Sequence, residues 1–193
     1  MDKGRLEAFS DGVIAIIITI MVLELKVPHG ASWAELVPLR SVLLSYVLSF
    51  VFVGINWNNH HHTFKTVERV SARVLWANLH LLFWLSLIPF VSGWMGENDF
   101  ATLPVALYGG VLLMNAVSYF VLTRTLISVH GPKSKLASAI RSDGDLKGRA
   151  SLVFYGAAIP LAFWNVGLAL ALSVVVAVIW FIPDRRIENV LTE

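Results

Sequence analysis

Residues 150–183 contain no charged side chain over 34 consecutive positions. A helix that crosses a bilayer needs about 20 mostly apolar residues. The block is too long for one span and just long enough for two. A turn at Trp164-Asn165, with Gly167 beyond it, divides the block into spans at 150–163 and 167–182. The first of these is short on this count, so it is expected to begin ahead of Ala150. The rest of the chain has the same character. Of its 193 residues, 56% are hydrophobic and 15% charged, whereas a soluble domain carries about 25% charge. The chain therefore reads as an all-α, polytopic membrane protein. Residues 1–193 read as a single transmembrane domain, because the longest polar stretch, 130–149, is too short to fold alone. The absence of cysteine excludes disulfides and thiolate metal sites.

Four further spans are expected at 9–25, 39–57, 74–94 and 105–127. Pro28 and Gly30 follow the first, a short segment at 33–38 precedes the second, and Asn58 to His62 close the second. Pro89 is expected to kink the third, and 93–104 reads as a loop bearing Glu97 and Asp99. The long apolar run at the N-terminus reads as a retained helix and not a cleaved signal, since no small-residue cleavage site follows it. With six spans, the N-terminus, the second and fourth connections and the C-terminus share one side of the membrane. That side holds 13 of the 15 Lys and Arg residues, and only Lys26 and Arg40 fall on the other. Positive charge marks the cytoplasmic side, so both termini are expected there. A five-span chain would separate Arg185 and Arg186 from the other cations.

The first span has an unusual entrance. Arg5 and Glu7 precede Phe9-Ser10-Asp11, and an apolar run follows to Leu23, broken only by Thr19. A carboxylate at the edge of lipid is normally paired or turned toward protein or water. At 100° per residue, Ile16, Thr19, Ile20 and Leu23 form one stripe, with Asp11 about 140° and Ser10 about 120° away from Ile16. The acid and the stripe cannot face the same place. The economical arrangement turns Ser10 and Asp11 into the subunit, with His80, Asn78, Trp57 and Arg5 as candidate partners. The stripe is then left for a second surface. Around a symmetry axis, a ring of aliphatic side chains makes a constriction that gates by dewetting. The same periodicity also suits plain packing against lipid or helices.

The run Arg5-Leu6-Glu7-Ala8-Phe9-Ser10-Asp11 matches every position of the motif R-x-x-x-F-S-D. By it the chain resembles the FSD-motif six-span cation channel family, which has bacterial single-repeat members and an animal endolysosomal potassium and proton channel. The resemblance implies a homotetramer in which the first helix of each subunit lines a central pore. It implies potassium as the permeant ion, without a carbonyl selectivity filter, and no TVGYG loop occurs in this sequence. It places the hydrophobic constriction on Ile16, with Thr19 and Leu23 further along the pore; Ile20 shares their stripe. It gives Phe9, Ser10 and Asp11 a structural role through polar contacts to the second and third spans. The expected setting is a bacterial inner membrane.

Other features read as structural. His60, His61 and His62 point about 100° apart on a helix, converge poorly on one metal ion, and read as a polar cap. His80 reads as a hydrogen-bonded structural group. The 130–149 loop is a topology determinant that can touch anionic lipid, and its interspersed Asp143 and Asp145 argue against nucleic acid. Glu24 and Lys26 flank the outer end of the first span. A ring of Glu24 would concentrate cations at a pore mouth, and a snorkelling surface role fits equally. No cofactor is expected. An enzyme would need titratable groups gathered at one depth, and Asp11, His80 and the triple His do not supply them. A small secondary transporter is the alternative reading, but no repeat relates the two halves of the chain.

Overall fold

The computed structural model describes residues 2–141 and 145–181, all helix and connection without a strand among them. The first helix, α1, spans Lys3–Val22. Asp2 caps it, accepting a hydrogen bond from the Gly4 amide at 3.3 Å. It begins earlier than the apolar run suggested, because the charged first turns remain helical. It also stops earlier, at bonds from Leu23 N to Ile20 O and from Leu25 N to Val22 O, several residues before Pro28.

A 3₁₀ turn at Trp33–Leu39 leads into α2, Arg40–Lys65. The helix does not close at Asn58 to His62. These polar residues continue it for two more turns, because Asn56 and Asn59 bond back to the carbonyls of Phe52 and Ile55 and leave the backbone ladder intact. Next come α3, Ala72–Ser86, and α4, Ile88–Glu97. They are one apolar path broken at Leu87, the kink expected from Pro89, whose ring nitrogen cannot donate to the carbonyl one turn back. The loop expected at 93–104 is shorter than that. Gly93 to Glu97 belong to α4 and Pro104 lies in the first turn of α5, Thr102–His130. The true connection turns on Asp99 and Phe100, both with positive φ. Ser41 donates to Asp99 Oδ1 at 2.5 Å and ties this turn to the start of α2.

Gly131, at φ 86°, ends α5. The basic loop contains a short helix, α6, Lys135–Arg141. α7, Leu146–Ala162, starts ahead of Ala150 as its length required, and α8, Val166–Phe181, follows the turn at Trp164-Asn165. Residue 182, and the cations Arg185 and Arg186 in the charge count, lie outside the described residues.

Among the described residues, three paths are long and apolar enough to cross a membrane: Trp33–Lys65, Ala72–Glu97 and Thr102–His130. α1 carries four charged residues in its first half, and α7 and α8 are 17 and 16 residues long. α5 packs against α3, α4, α7 and α8, while α1 lies to one side on α2, α3 and α4. Leu85, Ile88, Met95, Tyr108, Leu112 and Leu122 fill the centre. Many large apolar side chains face outward, among them Trp33, Trp76, Phe83, Phe90, Val153 and Phe163, as expected where lipid replaces water. Each end of the bundle is tied. At one, His130 Nε2 accepts from the amides of Glu68 and Arg69. At the other, Lys26 pairs with Glu97 at 2.8 Å.

Candidate ion pathway

α1 has two opposed faces. Leu6, Ser10, Ile14, Ile17 and Met21 repeat at helical spacing and are at most 4% exposed, packed on the other helices. On the far side Phe9, Ile16, Ile20 and Leu23 are 53%, 57%, 43% and 77% exposed, and Gly12, Ala15 and Thr19 are exposed between them. The aliphatic stripe read from the sequence is therefore the uncovered face of α1. Thr19 does not offer its hydroxyl hydrogen outward, since Oγ1 donates to the Ile16 carbonyl at 2.9 Å. Leu23 sits one residue past the helix, in helical conformation, so it continues the stripe.

Ser10 is fully buried and opens a chain of hydrogen bonds across three helices. Its hydroxyl donates to Leu6 O at 2.9 Å, and its oxygen accepts from Asn78 Nδ2 on α3, also at 2.9 Å. Asn78 Oδ1 in turn meets His60 Nε2 on α2 at 2.8 Å. The order fixes the proton. With the hydroxyl hydrogen used on Leu6 and the amide hydrogen used on Ser10, Asn78 Oδ1 can only accept, so His60 carries its proton on Nε2. All three side chains are almost wholly buried, and the His60 ring lies against Phe64 at 4.5 Å.

Asp11 behaves differently from expectation. It does not turn into the subunit, because neighbours on a helix point about 100° apart and Ser10 takes the inward position. Its carboxylate lies at the surface, where Oδ1 accepts from Trp57 Nε1 at 2.9 Å. The Trp57 ring stacks on His61 at 6.0 Å. Arg5 stands on the exposed side with Phe9. His80 is a correction: it lies on another face of α3 from Asn78 and accepts from Trp84 Nε1 at 3.0 Å, one turn along its own helix.

The sequence reading missed His60. Continuing the α2 periodicity through the polar residues would have found it, since His60 shares a face with buried Val53 and Phe64. Among the described residues no group of three or more His, Asp or Glu is placed to hold a metal ion. At the far end of α1, Glu24 lies beside Gly93. Lys26 has its pKa raised above the ordinary lysine value by the hydrogen bond and charge of Glu97.

Known proteins resemble this arrangement along the whole chain. A potassium channel of Chryseobacterium sp. (strain P1-3) is 54% identical over 193 residues, all of both chains. Residues 5–89 match the family described as endosomal/lysosomal potassium channel TMEM175. The chain belongs to the TMEM175 family. A crystal structure of a lysosomal potassium-selective channel TMEM175 homologue from Chamaesiphon minutus superposes with a TM-score of 0.80. It shares 28% identity, and the match covers 94% of this chain and 97% of that one. The endosomal/lysosomal proton channel TMEM175 of Danio rerio is 28% identical over 132 residues, which are 66% of this chain and 24% of the fish protein. TMEM175 is a family of ion channels and not of enzymes. The secondary-transporter alternative finds no support among these relatives.

Proposed function

We propose that the protein is a potassium-permeable channel. Four copies would surround a central axis, each presenting the exposed face of α1, in a bacterial inner membrane. The reading rests on one observation above the others. α1 is buried on one side by Leu6, Ser10, Ile14, Ile17 and Met21, and leaves a continuous aliphatic face open on the other. One such face cannot enclose a path, so the reading requires an oligomer, and closed rotational symmetry is the usual solution. The Ile16 ring forms the constriction, Thr19 and Ile20 line the next turn, and Leu23 lies about 10 Å beyond Ile16 at 1.5 Å per residue. Potassium passes with part of its water, since these positions offer no carbonyl ladder and the Thr19 hydroxyl is engaged with its own helix. Rings of apolar side chains resist conduction when narrow and dry and permit it when wide enough to wet.

The remaining passes hold that wall in place. Six spans with both termini cytoplasmic agree with the positive charge gathered at Lys3, Arg5, Lys65, Arg69, Arg73, Arg124, Lys133, Lys135 and Lys147. The Ser10–Asn78–His60 chain fixes α1 against α2 and α3 near the same end. Asp11 and Trp57, both exposed in a single subunit, would lie beside the open face of α1, where a neighbouring copy could cover them.

The test is flux through purified protein in liposomes, with a potassium gradient driving dye-reported proton uptake in the presence of a protonophore. Potassium-dependent uptake without valinomycin, smaller with sodium, supports the channel. Ile16→Asn should raise the rate by wetting the constriction. An Ile16→Asn protein that assembles normally and conducts like the parent removes Ile16 from that role.

A further inference from the structure

Away from α1, the bundle contains a cavity of about 90 Å³ between α2, α5, α7 and α8, with α6 across one side. Most polar groups on its wall already have partners. Asn56 and Asn59 donate to carbonyls of their own helix. Thr63 and Tyr119 bond to each other at 2.6 Å, and Trp180 Nε1 donates to Ser151 at 2.7 Å. Asn115 differs. It lines the cavity, is 2% exposed, and its Nδ2 has no hydrogen-bond partner among the described residues. A buried donor left unmade is expensive, and natural structures rarely keep one without a ligand or water.

Three features define what would satisfy it. The group facing Asn115 must accept a hydrogen bond. The body must be apolar, because Phe52, Phe120, Tyr155, Val176 and Trp180 make much of the wall. It must also be neutral. The charges that border the cavity, Asp145 and Lys147, are of opposite sign; Asp145 is held by Arg124 at 3.6 Å, and Lys147 lies over the Trp180 ring at 6.0 Å. A ligand hydroxyl also finds acceptors on this wall, since Asn56 and Asn59 are bonded only through Nδ2 and keep Oδ1 free.

We propose that this cavity binds a small neutral amphiphile of the alcohol class, about four to six heavy atoms in size, given that benzene occupies a cavity of about 150 Å³. Its oxygen accepts from Asn115 Nδ2 and its carbon body lies against Val176 and Trp180. The site is distinct from the exposed face of α1 and does not depend on the pore assignment.

The experiment uses the full-length protein in detergent and 2,2,2-trichloroethanol, which forms a covalent adduct with tryptophan under ultraviolet light. Peptide mass spectrometry reads the adduct at each tryptophan. Labelling of Trp180 should saturate with probe concentration and be suppressed by tert-butanol. Labelling of Trp33 and Trp76, on the exposed surface, should rise linearly and resist competition. Asn115→Leu should weaken the saturable labelling by about fivefold, the loss of one neutral hydrogen bond. Val176→Phe, which fills the cavity from α8 and keeps Asn115, should abolish it. Linear labelling at Trp180 in parallel with Trp33 overturns the proposal. So does saturable labelling that Val176→Phe leaves intact. The tert-butanol competition needs no variant, so a failure of Asn115→Leu to fold leaves the proposal testable.

Discussion

Replacing Asn78 with leucine separates the structural role of the Ser10–Asn78–His60 chain from any role in conduction. Leucine keeps the volume and removes both bonds. Ser10 loses an incoming donor but keeps its own bond to Leu6 O, so its share of the loss is small. His60 loses the acceptor for its Nε2 proton and sits 2% exposed beside Phe64, out of reach of bulk solvent. Leaving such a donor unmade costs about 1–3 kcal/mol. Interhelical hydrogen bonds measured in membrane proteins average about 0.6 kcal/mol. Two lost bonds at that average and one stranded donor at the higher figure bracket the expected destabilisation at about 1–3 kcal/mol. The assay is reversible unfolding of the purified protein in mixed micelles, followed by tryptophan fluorescence. His60→Leu in the same assay should cost a similar amount, and Asn78→Leu/His60→Leu together should cost less than the sum, because the double variant leaves no buried donor stranded. Strict additivity, or a loss below about 0.5 kcal/mol for Asn78→Leu, would refute the reasoning and mean that water or lipid reaches His60.

Two further predictions concern the far end of the bundle. A Cβ at Gly96 would lie 2.7 Å from Val42 Cα and against Ser45 Oγ, where α4 approaches the backbone of α2; Gly96→Ala should therefore cost about 1–3 kcal/mol in the same unfolding assay, and a neutral result would mean that the two helices can part freely. Lys26 has its pKa raised from 10.5 by Glu97, so the pair contributes fully below the ordinary lysine value and its contribution disappears as pH rises through the raised one. Glu97→Gln should lower Tm by the same small amount at pH 7 and pH 9 and not at all once Lys26 is deprotonated, and high salt should erase the difference; a difference that grows between pH 7 and pH 9 would contradict the assignment.

How much of this was legible beforehand depends on where the information resides. The two faces of α1 could be read because periodicity is a local property, and burial of Leu6, Ser10, Ile14, Ile17 and Met21 follows it without interruption. The break at Leu87 could be read because proline acts on its own backbone. Helix lengths were less legible, since Asn58 to His62 look like a terminus by composition, while Asn59 bonds back to its own helix and His60 bonds across to α3, so the helix runs on. The partner of Asn78 was less legible still. Finding it requires knowing which side of α3 meets α2, and Asn78 and His80, both candidates for the network by sequence, are two apart on one helix and point about 160° from each other. Asp11 carries this argument furthest. Its position beside Ser10 was known, yet only one of the two can enter the core, and the serine is the cheaper to bury because a hydroxyl loses far less hydration than a carboxylate. The acid is thereby left at the surface of a single subunit, bonded to Trp57, which is itself half exposed. A charged group at that place in a membrane protein needs a further environment, water or a neighbouring copy, to make it tolerable, and the open face of α1 adjoins it.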